Sequence, residues 1–205
     1  MELTINNINV QFDGKNVLTS ISHEFTPGVY GVLGKNGAGK STLLNAIRNK
    51  SDFKWNGDIR FNKNKLDEQF IKNNISYLPQ TNGGDSVLTV KQTLLMGLYN
   101  ELKWRVTREQ HLRINEAIDK LETQLGVDNI AQKKLNELSG GQRQLVLLAQ
   151  CLIKQPKILL LDEPCTHLDI RNQIIFINRM KELEDMIIIS TMHEINLGAF
   201  VCTLL

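Results

Sequence analysis

The eight residues Gly34-Lys35-Asn36-Gly37-Ala38-Gly39-Lys40-Ser41 constrain this chain more than any other feature. They fit the pattern G-x-x-x-x-G-K-[ST], and they stand where that pattern has meaning. A β-like run ending at Leu33 precedes them, and a segment with Leu43, Leu44 and Ile47 on one helical face follows from Lys40. Three glycines let the backbone curl so that successive N–H groups point inward at an anion, and the helix start adds its partial positive charge. The loop therefore predicts a nucleotide-phosphate cradle. Lys40 reaches the terminal phosphates, the Ser41 hydroxyl is a Mg²⁺ ligand, and Thr42 follows on the helix.

The rest of the chain alternates in a way that suits such a loop. Leu3, Ile5, Ile8, Val10 and Phe12 predict a strand, Asp13-Gly14-Lys15 a hairpin turn, and Val17 to Phe25 the return strand. Short strands are expected at Ile59 to Phe61 and Ile75 to Leu78. From about Val87 to Ile153 the pattern is almost wholly helical, as in Ile114, Ile118, Leu121 and Leu125. Pro156 closes that stretch, and the apolar run Ile158 to Leu161 suits a central parallel strand. A helix from Ile170 to Leu183, a buried strand from Met186 to Ser190 and a short terminal helix complete the reading. The order predicts a doubly wound α/β core carrying a helical lobe.

Two further groups carry chemistry. Asp162 and Glu163 follow the apolar run at what would be the C-terminal end of its strand, where α/β ligands bind. Asp162 is expected to hold Mg²⁺, and Glu163 to polarise an attacking water, with both carboxylates emerging together. Leu138-Ser139-Gly140-Gly141-Gln142 is a second candidate anion site: a hydroxyl, two glycines and a helix start. Two phosphate sites in 205 residues invite a nucleotide shared between two chains.

With these motifs in order, the whole chain resembles the ATP-binding cassette (ABC) ATPases. Residues 34–41 look like the family's Walker A motif, Leu138 to Gln142 its signature motif, and Ile158 to Glu163 its Walker B motif. Gln80 in Tyr77-Leu78-Pro79-Gln80 resembles the Q-loop glutamine, Leu168-Asp169 the D-loop, and His193 after Ser190-Thr191-Met192 the switch histidine. Phe12 takes the place of the aromatic that stacks on adenine. The resemblance implies an α/β fold with a P-loop NTPase (RecA-like) core, an antiparallel β subdomain and an inserted helical subdomain. One ABC domain would span 1–205, with 1–82 and 156–205 as core and 83–155 as the helical subdomain carrying the signature. It implies catalysis by Glu163, His193 and Gln80. ATP would be bound by Phe12, Gly34, Lys35, Asn36, Gly37, Ala38, Gly39, Lys40, Ser41, Thr42 and Asp162 of one chain. Ser139, Gly140, Gly141, Gln142 and Asp169 would belong to the same shared site, and Mg²⁺ would lie at Ser41, Gln80 and Asp162.

A narrower resemblance points to importers of iron–siderophore complexes, haem and cobalamin. It rests on Leu88-Thr89-Val90, Leu94-Leu95-Met96-Gly97, Trp104-Arg105-Val106-Thr107 and Leu168 to Gln173; zinc and manganese importers are related. It implies a homodimer joined head to tail by ATP, a separate membrane permease, an extracytoplasmic substrate-binding protein, and a place at the inner face of the cell membrane. The competing class is a nucleotide-dependent scaffold outside transport, or a truncated, weakly active cassette. Cys165-Thr166-His167 departs from the family's usual Thr-Ser-Ala. The chain ends at Leu205, about where the family continues its sheet, so a shortened and a complete short cassette both fit. A shortened sheet is expected to expose an edge near Phe200 to Leu205.

Composition removes other classes. Net charge is 24 − 22 = +2, too small for a nucleic-acid partner or an anionic membrane surface. The longest apolar run, Leu145 to Ala149, is five residues, against about 20 for a membrane span. Met1-Glu2-Leu3-Thr4 lacks the features of a signal peptide. Cys151, Cys165 and Cys202 form no C-x-x-C pair and read as reduced cytoplasmic thiols.

Overall fold

The computed structural model describes residues 1–49, 54–80, 86–101, 104–166, 168–183 and 185–192. His193, His167, the expected terminal helix and the edge near Phe200 to Leu205 lie outside these residues.

Two sheets share the work. Strands β1 (Leu3–Phe12), β2 (Lys15–Phe25), β4 (Lys54–Phe61) and β5 (Asn64–Lys65) form an antiparallel sheet in the order β2-β1-β4-β5. Strands β3 (Gly28–Leu33), β6 (Ile75–Leu78), β7 (Ile158–Asp162) and β8 (Ile187–Met192) form a parallel sheet in the order β3-β8-β7-β6. The helices are α1 (Lys40–Ile47), α2 (Glu68–Asn74), α3 (Val90–Gly97), α4 (Arg108–Leu125), α5 (Gly140–Leu152) and α6 (Ile170–Lys181).

The parallel sheet is the wall between two cores. Ile158 and Leu160 of β7 and Ile187 and Ile189 of β8 pack with α1 and the antiparallel sheet. Leu159, Leu161 and Ile188 pack on the other side with α3, α4, α5 and α6. Each of these strand residues is fully buried, which is why the two strands carry no alternation.

Packing holds the helical stretch, and local caps fix where its helices start. Thr89, Thr107 and Ser139 each accept from the backbone three residues on, and Gln92, Gln110 and Gln142 reach back to the cap N–H. Gly126 ends α4 in a left-handed conformation, φ 61°. Ile114, Ile118 and Leu121 form the buried stripe of α4, as their spacing predicts.

Candidate functional site

The parallel strands β3 and β7 end at the same rim, and the loop from β3 into α1 crosses it. Gly39, just before α1, has φ 93°, a left-handed conformation that a side chain strains. A Cβ there would also lie 2.8 Å from Leu18 Cδ2 and 3.0 Å from Val17 Cγ1, so the loop sits directly on β2. Lys40 is buried and curls back: its Nζ donates to the Gly34 carbonyl at 2.8 Å and to the Lys35 carbonyl at 3.3 Å.

Asp162 is the last residue of β7, and it is 4% exposed. Its Oδ1 accepts from Ser41 Oγ at 2.9 Å and from Thr191 Oγ1 at 2.7 Å. Its Oδ2 accepts from the Tyr77 hydroxyl at 3.0 Å. Three hydroxyls thus satisfy one buried carboxylate and fix both of its oxygens. Burial, reinforced by the facing Asp162 carboxylate, pushes the Tyr77 phenol up to about 12, so it remains a donor at neutral pH. The Arg48 guanidinium lies 4.3 Å from the centre of the Tyr77 ring.

Glu163 behaves differently. Both carboxylates stand at the C-terminal end of β7, but Asp162 stays in the strand while Glu163 turns out of the ladder at φ 50°. Its N–H donates to Thr191 Oγ1 at 2.9 Å. Its Oε1 lies 3.9 Å from Lys40 Nζ, and its Oε2 accepts from Gln80 Nε2 at 2.9 Å. Gln80 is therefore directed at Glu163 here.

A cleft of about 540 Å³ opens over these groups, lined by Phe12, Val17, Asn36 to Thr42, Gln80 and Glu163. Phe12 is 42% exposed at its edge. Gly34 and Lys35 border it through the carbonyls that hold Lys40, and Asp162 through Ser41.

The other expected residues gather elsewhere. Ser139 Oγ accepts from Gln142 N at 3.2 Å, and Gln142 Oε1 accepts from Ser139 N at 3.0 Å, closing the start of α5. A Cβ on Gly141 would meet the Asn172 side chain at 2.2 Å, so the starts of α5 and α6 touch. Asp169 caps α6, accepting from Asn172 N at 2.8 Å and from its Nδ2 at 3.0 Å. None of Ser139, Gly140, Gly141, Gln142 and Asp169 lines the cleft. Three residues of the site escaped the motif reading: Val17, Tyr77 and Thr191. The usable signal was a hydroxyl residue in each strand flanking the run that ends in Asp162.

With this geometry in hand, comparison with known proteins is direct. The sequence model of the ABC transporter family matches residues 18–166. The chain belongs to the ABC transporter family. As an ABC cassette it binds ATP and is an ATPase. It is 34% identical to an uncharacterised ABC transporter ATP-binding protein of Methanocaldococcus jannaschii over 205 residues, covering 97% of this chain and 78% of that one. Identity to the tungstate uptake system ATP-binding protein of Peptoclostridium acidaminophilum is 32% over 201 residues, 95% of this chain and 89% of that one. Identity to the zinc import ATP-binding protein of Wolbachia pipientis is 33% over 202 residues, 95% of this chain and 74% of that one. Among solved structures, an inward-facing putative metal-chelate type ABC transporter aligns with TM-score 0.79 and 26% identity, covering 99% of the cassette and 79% of that chain.

Proposed function

We propose that this ABC cassette is the ATP-hydrolysing subunit of an importer for a metal ion or metal chelate, working through a separate permease. We further propose that two copies bind ATP between them, head to tail. The observation that carries this reading is the division of the candidate residues into two groups. Lys40, Ser41, Gln80 and Glu163 meet in one cleft, while Ser139 to Gln142 and Asp169 sit together outside it. A second helix start left out of its own chain's phosphate cleft is what a shared nucleotide requires.

Within each cleft the phosphates lie on Asn36 to Ser41, with Lys40 leaving its carbonyl partners for the terminal phosphate. Phe12 offers its ring to the base. The Ser41 hydroxyl and Asp162 carboxylate, already in contact at 2.9 Å, are hard oxygen donors that suit Mg²⁺, and Gln80 lines the same cleft as Ser41. When bound, Mg²⁺ would neutralise charge on the phosphates. Glu163 takes a proton from the attacking water, and His193 contacts the terminal phosphate. Loss of that phosphate removes the contacts joining the two chains.

The import reading is supported by the tungstate and zinc relatives and the metal-chelate neighbour. No described helix is long and apolar enough to cross a membrane, and we assign the translocation path to a separate permease. We place residues 83–155 as the lobe that faces the permease, with the cassette at the inner face of the membrane and a substrate-binding protein outside.

Light scattering on the Glu163→Gln variant tests the shared site: a dimer is expected in MgATP and a monomer in ADP, and Ser139→Arg in the same background should abolish the dimer. A monomer in saturating MgATP would overturn it. Import is tested by searching the neighbouring reading frames for a multi-span permease, co-expressing it with this chain, and measuring uptake of zinc and of a ferric siderophore. An active cassette that supports neither uptake and pairs with no permease would favour a scaffold.

A further inference from the structure

We infer that Thr191 is a positioning residue that sets the separate directions of the two carboxylates at the end of β7. The inference rests on the reading of Asp162 and Glu163 as the metal-holding and catalytic carboxylates. Thr191 is fully buried in β8 and stands in register beside Asp162. Its one hydroxyl has two partners. It donates to Asp162 Oδ1 at 2.7 Å and accepts the Glu163 backbone N–H at 2.9 Å.

The second contact matters because of where Glu163 stands. A non-glycine residue at φ 50° is in the left-handed region, a conformation kept only where surroundings hold it. That turn aims the Glu163 side chain at Lys40 and Gln80 in the cleft. The Thr191 hydroxyl supplies the bond that the turned N–H has lost from the strand ladder. The same atom keeps Asp162 Oδ1 beside Ser41. A single hydroxyl therefore fixes one carboxylate beside Ser41 and turns the next toward Lys40 and Gln80. Thr191 itself is not among the residues that line the cleft.

Thr191→Val keeps the shape and removes both hydrogen bonds; Thr191→Ser keeps them. Outer-shell changes of this kind cost about 10–100-fold. Steady-state hydrolysis by the full chain, at temperatures below each variant's Tm, should show kcat reduced by about that factor in Thr191→Val. The Mg²⁺ concentration for half-maximal rate should rise, KM for ATP should change little, and Thr191→Ser should restore the wild-type values. Wild-type kcat in Thr191→Val, equal defects in the Val and Ser variants, or a loss that only tracks the unfolded fraction would overturn the inference. Amide hydrogen exchange in the wild-type protein provides a test that needs no variant: a Glu163 amide exchanging at the free-chain rate overturns it too. Asp162→Asn and Glu163→Gln run alongside separate the two levels. If they retain full turnover, the reading of the site fails; if they are inactive while Thr191→Val is active, only the role of Thr191 fails.

Discussion

The Gln80 side-chain amide donates to Glu163 Oε2 at 2.9 Å, across 83 residues of sequence. Three residues earlier on the same segment, the Tyr77 hydroxyl donates to Asp162. One stretch of chain, β6 and its exit, therefore holds both carboxylates at the end of β7. Glu163 is thus engaged by protein groups, and in the proposed mechanism it turns to the attacking water instead.

Substitutions at Lys40 and Glu163 should separate binding from chemistry. Lys40→Ala removes the ammonium that we propose meets the terminal phosphates, and it should weaken MgATP binding as well as hydrolysis. Glu163→Gln keeps the shape and can still pair with Gln80, so MgATP binding should persist while kcat falls by about 10²–10⁴-fold. Nucleotide titration and single-turnover hydrolysis read the two effects. Wild-type turnover in Glu163→Gln would remove its catalytic assignment.

Gly141 and Asn172 should be coupled. A Cβ at Gly141 would lie 2.2 Å from Asn172 Cγ, so Gly141→Ala must displace that side chain and disturb the Asp169 cap it shares. The expected destabilisation is about 1–3 kcal/mol by chemical denaturation, and Asn172→Ala should relieve part of it. Additive effects in the double variant would show that the starts of α5 and α6 do not press on one another.

The wall between the two cores should be the most sensitive part of the fold. Leu160 is fully buried on the side facing α1, and Leu160→Ala should cost about 2–5 kcal/mol. Ile174→Ala, on the exposed face of α6, should change stability by less than about 0.5 kcal/mol. Urea midpoints at equal m-value provide the comparison.

Alkaline pH should unfold the chain through partly buried acids: Cys151, Tyr77 and also Cys165, whose thiol burial raises to about 12. Burial raises the Cys151 thiol to about 12 from an ordinary 9.0, and burial with Asp162 raises Tyr77 to about 12 from 10.0. In each case the folded chain holds a proton that the unfolded chain releases. Their stabilising contribution is therefore complete below about pH 9 and is lost as pH rises toward 12. Tm measured from pH 8 to 11 should fall, and the fall should be shallower in Tyr77→Phe/Cys151→Ala. An identical slope in that variant would show that other groups control it.

What the sequence disclosed depended on whether burial left a pattern. The run Ile158 to Leu161 was legible because both faces of β7 are covered, and Ser41 and Asp162 because their motifs are short and fixed. Helix α2 left no trace: none of its residues is buried, and it is held by the Asp67 cap and by packing against β6. Strand β4 was legible only from Ile59, because Gly57 has φ 124° and approaches the Asn7 carbonyl at an irregularity in the pairing with β1, which breaks the alternation upstream. The bonds of Thr191 to Asp162 and Glu163 depend on a left-handed turn that no residue pattern announces.

The seating of Gly39 on Val17 and Leu18 has a consequence for which length changes the chain can absorb. Phe12 and Val17 both line the cleft, and they flank a hairpin whose tip, at Gly14, has open space around it. Extra residues inserted at Asp13-Gly14 extend into solvent and leave the pairing of Gln11 with Asn16 and of Val10 with Leu18 in place. One residue inserted between Asn16 and Val17 instead slips β2 by a single step and exchanges its two faces. Leu18 would leave the core, Val17 would leave the cleft, and Gly39 would lose its seat. Variation in length among cassettes of this kind should therefore concentrate at the tip of this hairpin and be absent from its stem.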